Sequence, residues 1–145
     1  MTEGRRRRAL ELGIALLAIA VAVVAAHGAG VGAPFHYDDK VEILLNPNMK
    51  GFGHWRELWI YNPFRFLLLC TFAVQYNLHG AEPGPFHVAN LVIHGVNALL
   101  VAALARRLLD RLGPADLRGT PTTALGGLAA GLLFAVHPLG VEAVT

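Results

Sequence analysis

Apolar residues run almost unbroken from Ala9 to Val31, with only Glu11 and His27 as ionisable interruptions. A run of about 20 apolar residues matches the hydrocarbon core of a bilayer. A second apolar stretch runs from Pro85 to Leu109 and ends among Arg106, Arg107 and Arg111. A third, glycine-rich ("LGGLAAGLL"), begins at Thr123 and stops at His137-Pro138. Glycine and other small residues are common where membrane helices pack closely. Between the first two lies "PFRFLLLCTFAVQY", whose apolar part is about a dozen residues and fits an interfacial or re-entrant helix better than a crossing. The pattern predicts an all-α integral membrane chain with about three transmembrane helices and an extracytoplasmic loop carrying interfacial helices. The predicted segments are 1–8 (basic terminus), 9–31 (helix), 32–84 (loop), 85–109 (helix), 110–122 (loop), 123–137 (helix) and 138–145 (start of a further segment).

Within the second apolar stretch the polar positions are periodic. His87, Asn90, His94 and Asn97 are spaced three, four and three apart. At helical pitch they fall in an arc of about 80°. Polar groups in hydrocarbon face protein or a wet cavity, either as packing contacts or as a functional surface. For His94 and Asn97 packing is the simpler reading. His87 and Asn90 lie nearer the end, where a polar cavity is as good an account. His27, at the end of the first run, is expected to reach the interface, as is Glu11 at the other end.

Charge then orients these segments. Hydrophobic residues make up 54% of the 145 and charged residues 15%, well short of the usual soluble domain. Arg5 to Arg8 precede the first run, and Arg106, Arg107, Arg111 and Arg118 separate the second from the third. The positive-inside rule places both clusters in the cytoplasm and the loop 32–84 outside. The basic start also fits a signal peptide, but the apolar run is long for one and further apolar segments follow. Trp55, Trp59, Tyr61 and Phe64 in the loop suit the headgroup region. Cys70, alone in the chain, reads as a small apolar residue. Nothing in this charge pattern is directed at nucleic acid.

The loop opens with "FHYDDKVEILLNP". If the segment is extended, Asp38 and Asp39 point to opposite sides and do not share a proton. One would face a site, and the other would be held by a basic partner. The residues alone leave three roles open: general base for a hydroxyl, cation ligand, or helix cap. The topology also brings His87, His137 and Glu142 to the outer side. Such convergence of ionisable groups marks a candidate active site. His87 and His94 are seven apart, not the four of a helical metal pair, so a divalent metal has no motif behind it and no cofactor is implied.

Three ordered blocks carry a resemblance: "FHYDDKVEILLNPNM", "LLLCTFAVQYNLHGAEPGPFHVANLVIHGVNALL" and "GGLAAGLLFAVHPLGVEAVT". Together they resemble the amino-terminal part of polytopic glycosyltransferases of superfamily C. The nearest group is the O-mannosyltransferase-like proteins with carboxy-terminal tetratricopeptide repeats. The family's "Y-R-P-L" stands here as "YNPFRFLLL", which shifts the arginine to Arg65. The resemblance implies a partial superfamily C fold and an amino-terminal fragment of a longer enzyme, inactive by itself. It implies transfer of a mannose-like sugar from a polyprenyl- or dolichyl-phosphate carrier to a hydroxyl on a protein or glycan. The reaction would take place on the extracytoplasmic side of a bacterial inner membrane or the endoplasmic reticulum. Asp38 or Asp39 would be the base, with Arg65, His87, Asn90, His137 and Glu142 as the residues that bind substrate or lipid phosphate. Two other classes compete: a transporter fragment, which calls for more charge at mid-membrane depth, and a non-catalytic membrane scaffold.

Overall fold

A computed structural model describes residues 3–141. Among the described residues there are five α-helices, joined by short 3-10 and π turns, and no strand. They are α1 (Glu3–His27), α2 (Trp55–Tyr61), α3 (Phe66–His79), α4 (Pro83–Leu112) and α5 (Pro121–Ala135). The chain divides into two compact units, one formed by Met1–Gly30 with Asn90–Thr145 and the other by Val31–Ala89.

The first unit is a helix bundle. Two helical segments, Gly4–Gly32 and Pro83–Leu112, are long and apolar enough to cross a membrane. Only 11% and 17% of their most apolar windows are buried among the described residues. Helix α5 has 15 residues, about 22 Å at 1.5 Å per residue, against a bilayer core of about 30 Å. The core is small: Ile19 and Val23 of α1, Ala98 and Ala102 of α4, and Ala135 of α5. Glycines set how closely α4 and α5 approach. A Cβ on Gly127 would meet the Ala102 carbonyl at 2.6 Å, and one on Gly131 the Ala98 carbonyl at 2.8 Å. The four-residue spacing Gly127/Gly131 therefore lies against Ala98/Ala102, the small-residue packing by which membrane helices associate without hydrophobic drive.

One expectation for a polar group in this unit needs correcting. His27 does not reach the interface: it is 4% exposed, and its Nε2 lies 3.0 Å from the Ala135 carbonyl. His94 Nε2 meets the same carbonyl at 3.1 Å, with the two imidazoles edge to face at 5.1 Å. The physical reason is Pro138. An α-helix would satisfy the Ala135 carbonyl from position 139, but the proline ends the helix and the Leu139 N–H turns to His137 Nδ1 instead. A carbonyl only accepts, so both Nε2 atoms carry hydrogen. Glu11, by contrast, is tied down at its end, 3.0 Å from Arg7 and 3.0 Å from Arg106.

The second unit is built on the loop. Its core gathers Phe35, Ile43, Met49, Leu58, Leu69, Phe72, Ala73 and Phe86. Two Asn-Pro pairs start its turns: Asn46 accepts from the Asn48 N–H at 3.0 Å, and Asn62 from the Arg65 N–H at 3.2 Å. Asparagine at the cap and proline at the next position are the preferred chemistry there. Asn77 of α3 then holds the loop over it, donating to the Met49 carbonyl at 2.9 Å and accepting from the Gly51 N–H at 2.7 Å. The aromatic stretch forms α2, with Trp59 packed edge to face on Phe66 at 5.3 Å.

Candidate acidic site

The acidic segment is not extended. The chain reverses at Tyr37, whose φ of 39° makes it the one non-glycine residue with positive φ among the described residues. Asp38 and Asp39 begin a helical turn, with the Asp39 N–H donating to the His36 carbonyl at 3.0 Å. The turn widens into a π-helix, Lys40–Leu44, closed by Leu45 N–H to the Lys40 carbonyl at 3.0 Å. Strained residues and π turns both concentrate at functional sites. Successive side chains are then about 100° apart rather than opposed. The extended geometry on which the opposed carboxylates were expected is therefore replaced by a helical one.

Their surroundings differ sharply. Asp38 is exposed and lies 3.5 Å from Arg65 Nη1. The same nitrogen is 3.1 Å from Glu42 Oε1. Glu42 is buried at 8% exposure, so it is the firmer anchor of the guanidinium. Glu42 went unrecognised in the sequence. Its signal is the four-residue spacing from Asp38, which puts both on one helical face. An extended reading hides that spacing.

Asp39 is half-buried. Burial pushes its carboxyl above the ordinary aspartate value of 3.8, and the Asp38 charge adds to this; His87, the His36 backbone and Arg65 pull the other way. As the residue preceding the π turn, Asp39 makes no side-chain capping bond, which removes the helix-cap role.

His87, in the first turns of α4, is 2% exposed. Its Nε2 lies 3.1 Å from the Ala33 carbonyl, so Nε2 carries the hydrogen. Its Nδ1 is buried and unpartnered among the described residues. Phe35 closes over the ring at 6.3 Å and packs edge to face on Phe86 at 5.3 Å. The loop unit thus gathers Asp38, Asp39, Glu42, Arg65 and His87.

The remaining sequence candidates lie elsewhere. Asn90 is partly exposed on α4, in the bundle unit, and Asn97 is exposed. His137 also belongs to the bundle unit; it is exposed, and its Nδ1 caps the Pro138–Gly140 turn by accepting from Leu139 N–H at 3.3 Å. Glu142 falls outside the described residues. Among the described residues no group of three or more His, Cys, Asp or Glu is arranged to hold a metal.

Curated relatives share one activity in their names. Protein O-mannosyl-transferase Tmtc2 of Drosophila melanogaster is 32% identical over 128 residues, covering 79% of this chain and 12% of the relative. Protein O-mannosyl-transferase Tmtc1 of the same fly is 32% identical over 127 residues, 79% of this chain and 13% of the relative. Protein O-mannosyl-transferase TMTC4 of Homo sapiens is 28% identical over 125 residues, 76% of this chain and 17% of the relative. The chain therefore spans about an eighth of the length of the first two relatives. No family model matches the chain, and no solved structure matches it.

Proposed function

The chain is a homologue of a segment of protein O-mannosyl-transferases, and from that premise we propose that it is the part of a membrane glycosyltransferase that carries the acceptor-activating base. The sugar is mannose-like, its donor a polyprenyl- or dolichyl-phosphate, and its acceptor a hydroxyl. In this reading α1 and α4 cross the bilayer, α5 is a short third crossing, and the arginine clusters face the cytoplasm. The acidic turn then lies on the extracytoplasmic or lumenal side. The architecture would be a partial superfamily C fold.

The observation that carries the proposal is the asymmetry of the two aspartates. Asp38 is exposed and paired with Arg65, whereas Asp39 is half-buried, raised in pKa and not ion-paired among the described residues. A carboxylate made more basic by burial is the better proton acceptor, provided it remains ionised at the working pH. Asp39 takes the proton of the acceptor hydroxyl as its oxygen attacks the anomeric carbon. The bond from that carbon to the carrier phosphate breaks, the configuration inverts, and the lipid phosphate leaves. One carboxylate suffices, because phosphate departs without an acid. Arg65 is the cationic group at hand for the departing charge, and the buried, unpartnered His87 Nδ1 is a further polar atom of the loop unit. His137, Asn90 and Glu142 have weaker support, since the first two lie in the other unit.

The test is mannosyl transfer by the intact parent enzyme carrying Asp39→Asn or Asp38→Asn. Loss confined to the Asp39 variant supports the assignment. Transfer retained in both single variants and in the double variant removes it.

A further inference from the structure

Toward its arginine-bearing end, the helix bundle holds two adjoining cavities. One, of about 390 Å³, is mainly apolar, with Leu12, Ile14, Leu99, Leu125 and Leu128 from α1, α4 and α5 among its walls. The other, of about 550 Å³, is more polar, with Arg7, Arg106, Arg107, Glu11 and Asp110 among its walls. Glu11, Ala103 and Arg106 line both, so the two adjoin across these residues. Three arginines face two carboxylates in the polar basin, a net charge of +1. Glu11 holds Arg106 at 3.0 Å and Arg7 at 3.0 Å, while Arg107 has no ion pair among the described residues.

We propose that the two cavities are one binding site for an anionic phospholipid of the bilayer. Its phosphate occupies the arginine basin beside Arg107, and one acyl chain lies in the apolar groove. The basin alone would take any small anion, and the groove alone any hydrocarbon. Their junction at Ala103 selects a molecule with both, oriented along the helices. Basic residues at the membrane surface attract anionic headgroups by about 1 kcal/mol each, a factor of about five. None of the acidic-site residues lines this site, and the proposal does not depend on the sugar-transfer reading; it rests on α1 and α4 spanning the bilayer.

The test is native mass spectrometry of the full chain, released from micelles containing equal amounts of phosphatidylglycerol and phosphatidylcholine. The wild type should retain phosphatidylglycerol in preference. Arg107→Gln should lower that preference about fivefold. Ala103→Trp, which fills the junction, should lower retention of both lipids. Arg107 is exposed, and circular dichroism of each variant checks that the helices persist. Equal retention of the two lipids by the wild type overturns the proposal. So does a preference unchanged in both variants, or inorganic phosphate competing away the lipid as well from Ala103→Trp as from the wild type.

Discussion

Arg65 Nη1 lies 3.1 Å from the buried carboxylate of Glu42, and this contact holds the guanidinium over Asp38. Glu42, rather than the exposed Asp38, is the partner with most to lose. Arg65→Met should therefore destabilise the loop unit by about 1.5–3 kcal/mol, the range for a hydrogen bond to a charged group. Asp38→Asn should cost less than 1 kcal/mol, as exposed ion pairs do. Chemical denaturation in detergent micelles measures both.

Asp39 gives a pH signature. Its folded-state pKa is raised, so the folded chain binds more protons than the unfolded chain above the ordinary aspartate value of 3.8. Stability from this group therefore falls as pH rises through that window. Asp39→Asn should raise the melting temperature at pH 7 relative to the wild type. The gain should vanish at pH values below 3.8. A constant difference across the whole range would mean that the carboxylate is not the cause.

The glycines of α5 differ in kind from a glycine of α4. Gly131→Ala places a methyl group 2.8 Å from the Ala98 carbonyl and should cost about 1–3 kcal/mol by overpacking. Gly95→Ala meets nothing within 4 Å and should stabilise α4 by about 0.5–1 kcal/mol. Opposite signs in thermal unfolding are the expected result.

His27 and His94 share one acceptor, so their contributions should not add. Either one alone leaves the Ala135 carbonyl bonded by the other. Removal of both leaves a buried acceptor unsatisfied, which costs about 1–3 kcal/mol. A cycle of His27→Leu, His94→Leu and the double variant should show a double loss larger than the sum of the singles.

Some of this was legible in the sequence and some was not, for physical reasons. The apolar runs state the helices of the bundle directly, and two of these are long and apolar enough to cross a membrane. Asn46-Pro47 and Asn62-Pro63 announce capped turns by local chemistry alone. The acidic segment misleads because its reversal depends on Tyr37 at φ 39°, a conformation that tyrosine does not advertise. With the turn hidden, the alignment of Glu42 with Asp38 is hidden too. His27 was unreadable for another reason. Its partner is a carbonyl 108 residues away, freed by a proline in a different helix. The sequence leads one to expect a basic partner for one of the two aspartates without saying which, and only the folded loop pairs Arg65 with Asp38.

In the proposed mechanism Asp39, and not Asp38, is the base. Mannosyl transfer by the intact parent enzyme, measured against pH, tests it most directly. Asp39→Asn should abolish transfer, and Asp38→Asn should keep it, with an acid limb above the ordinary aspartate value of 3.8. Undiminished transfer by Asp39→Asn, with the same acid limb as the wild type, would contradict it.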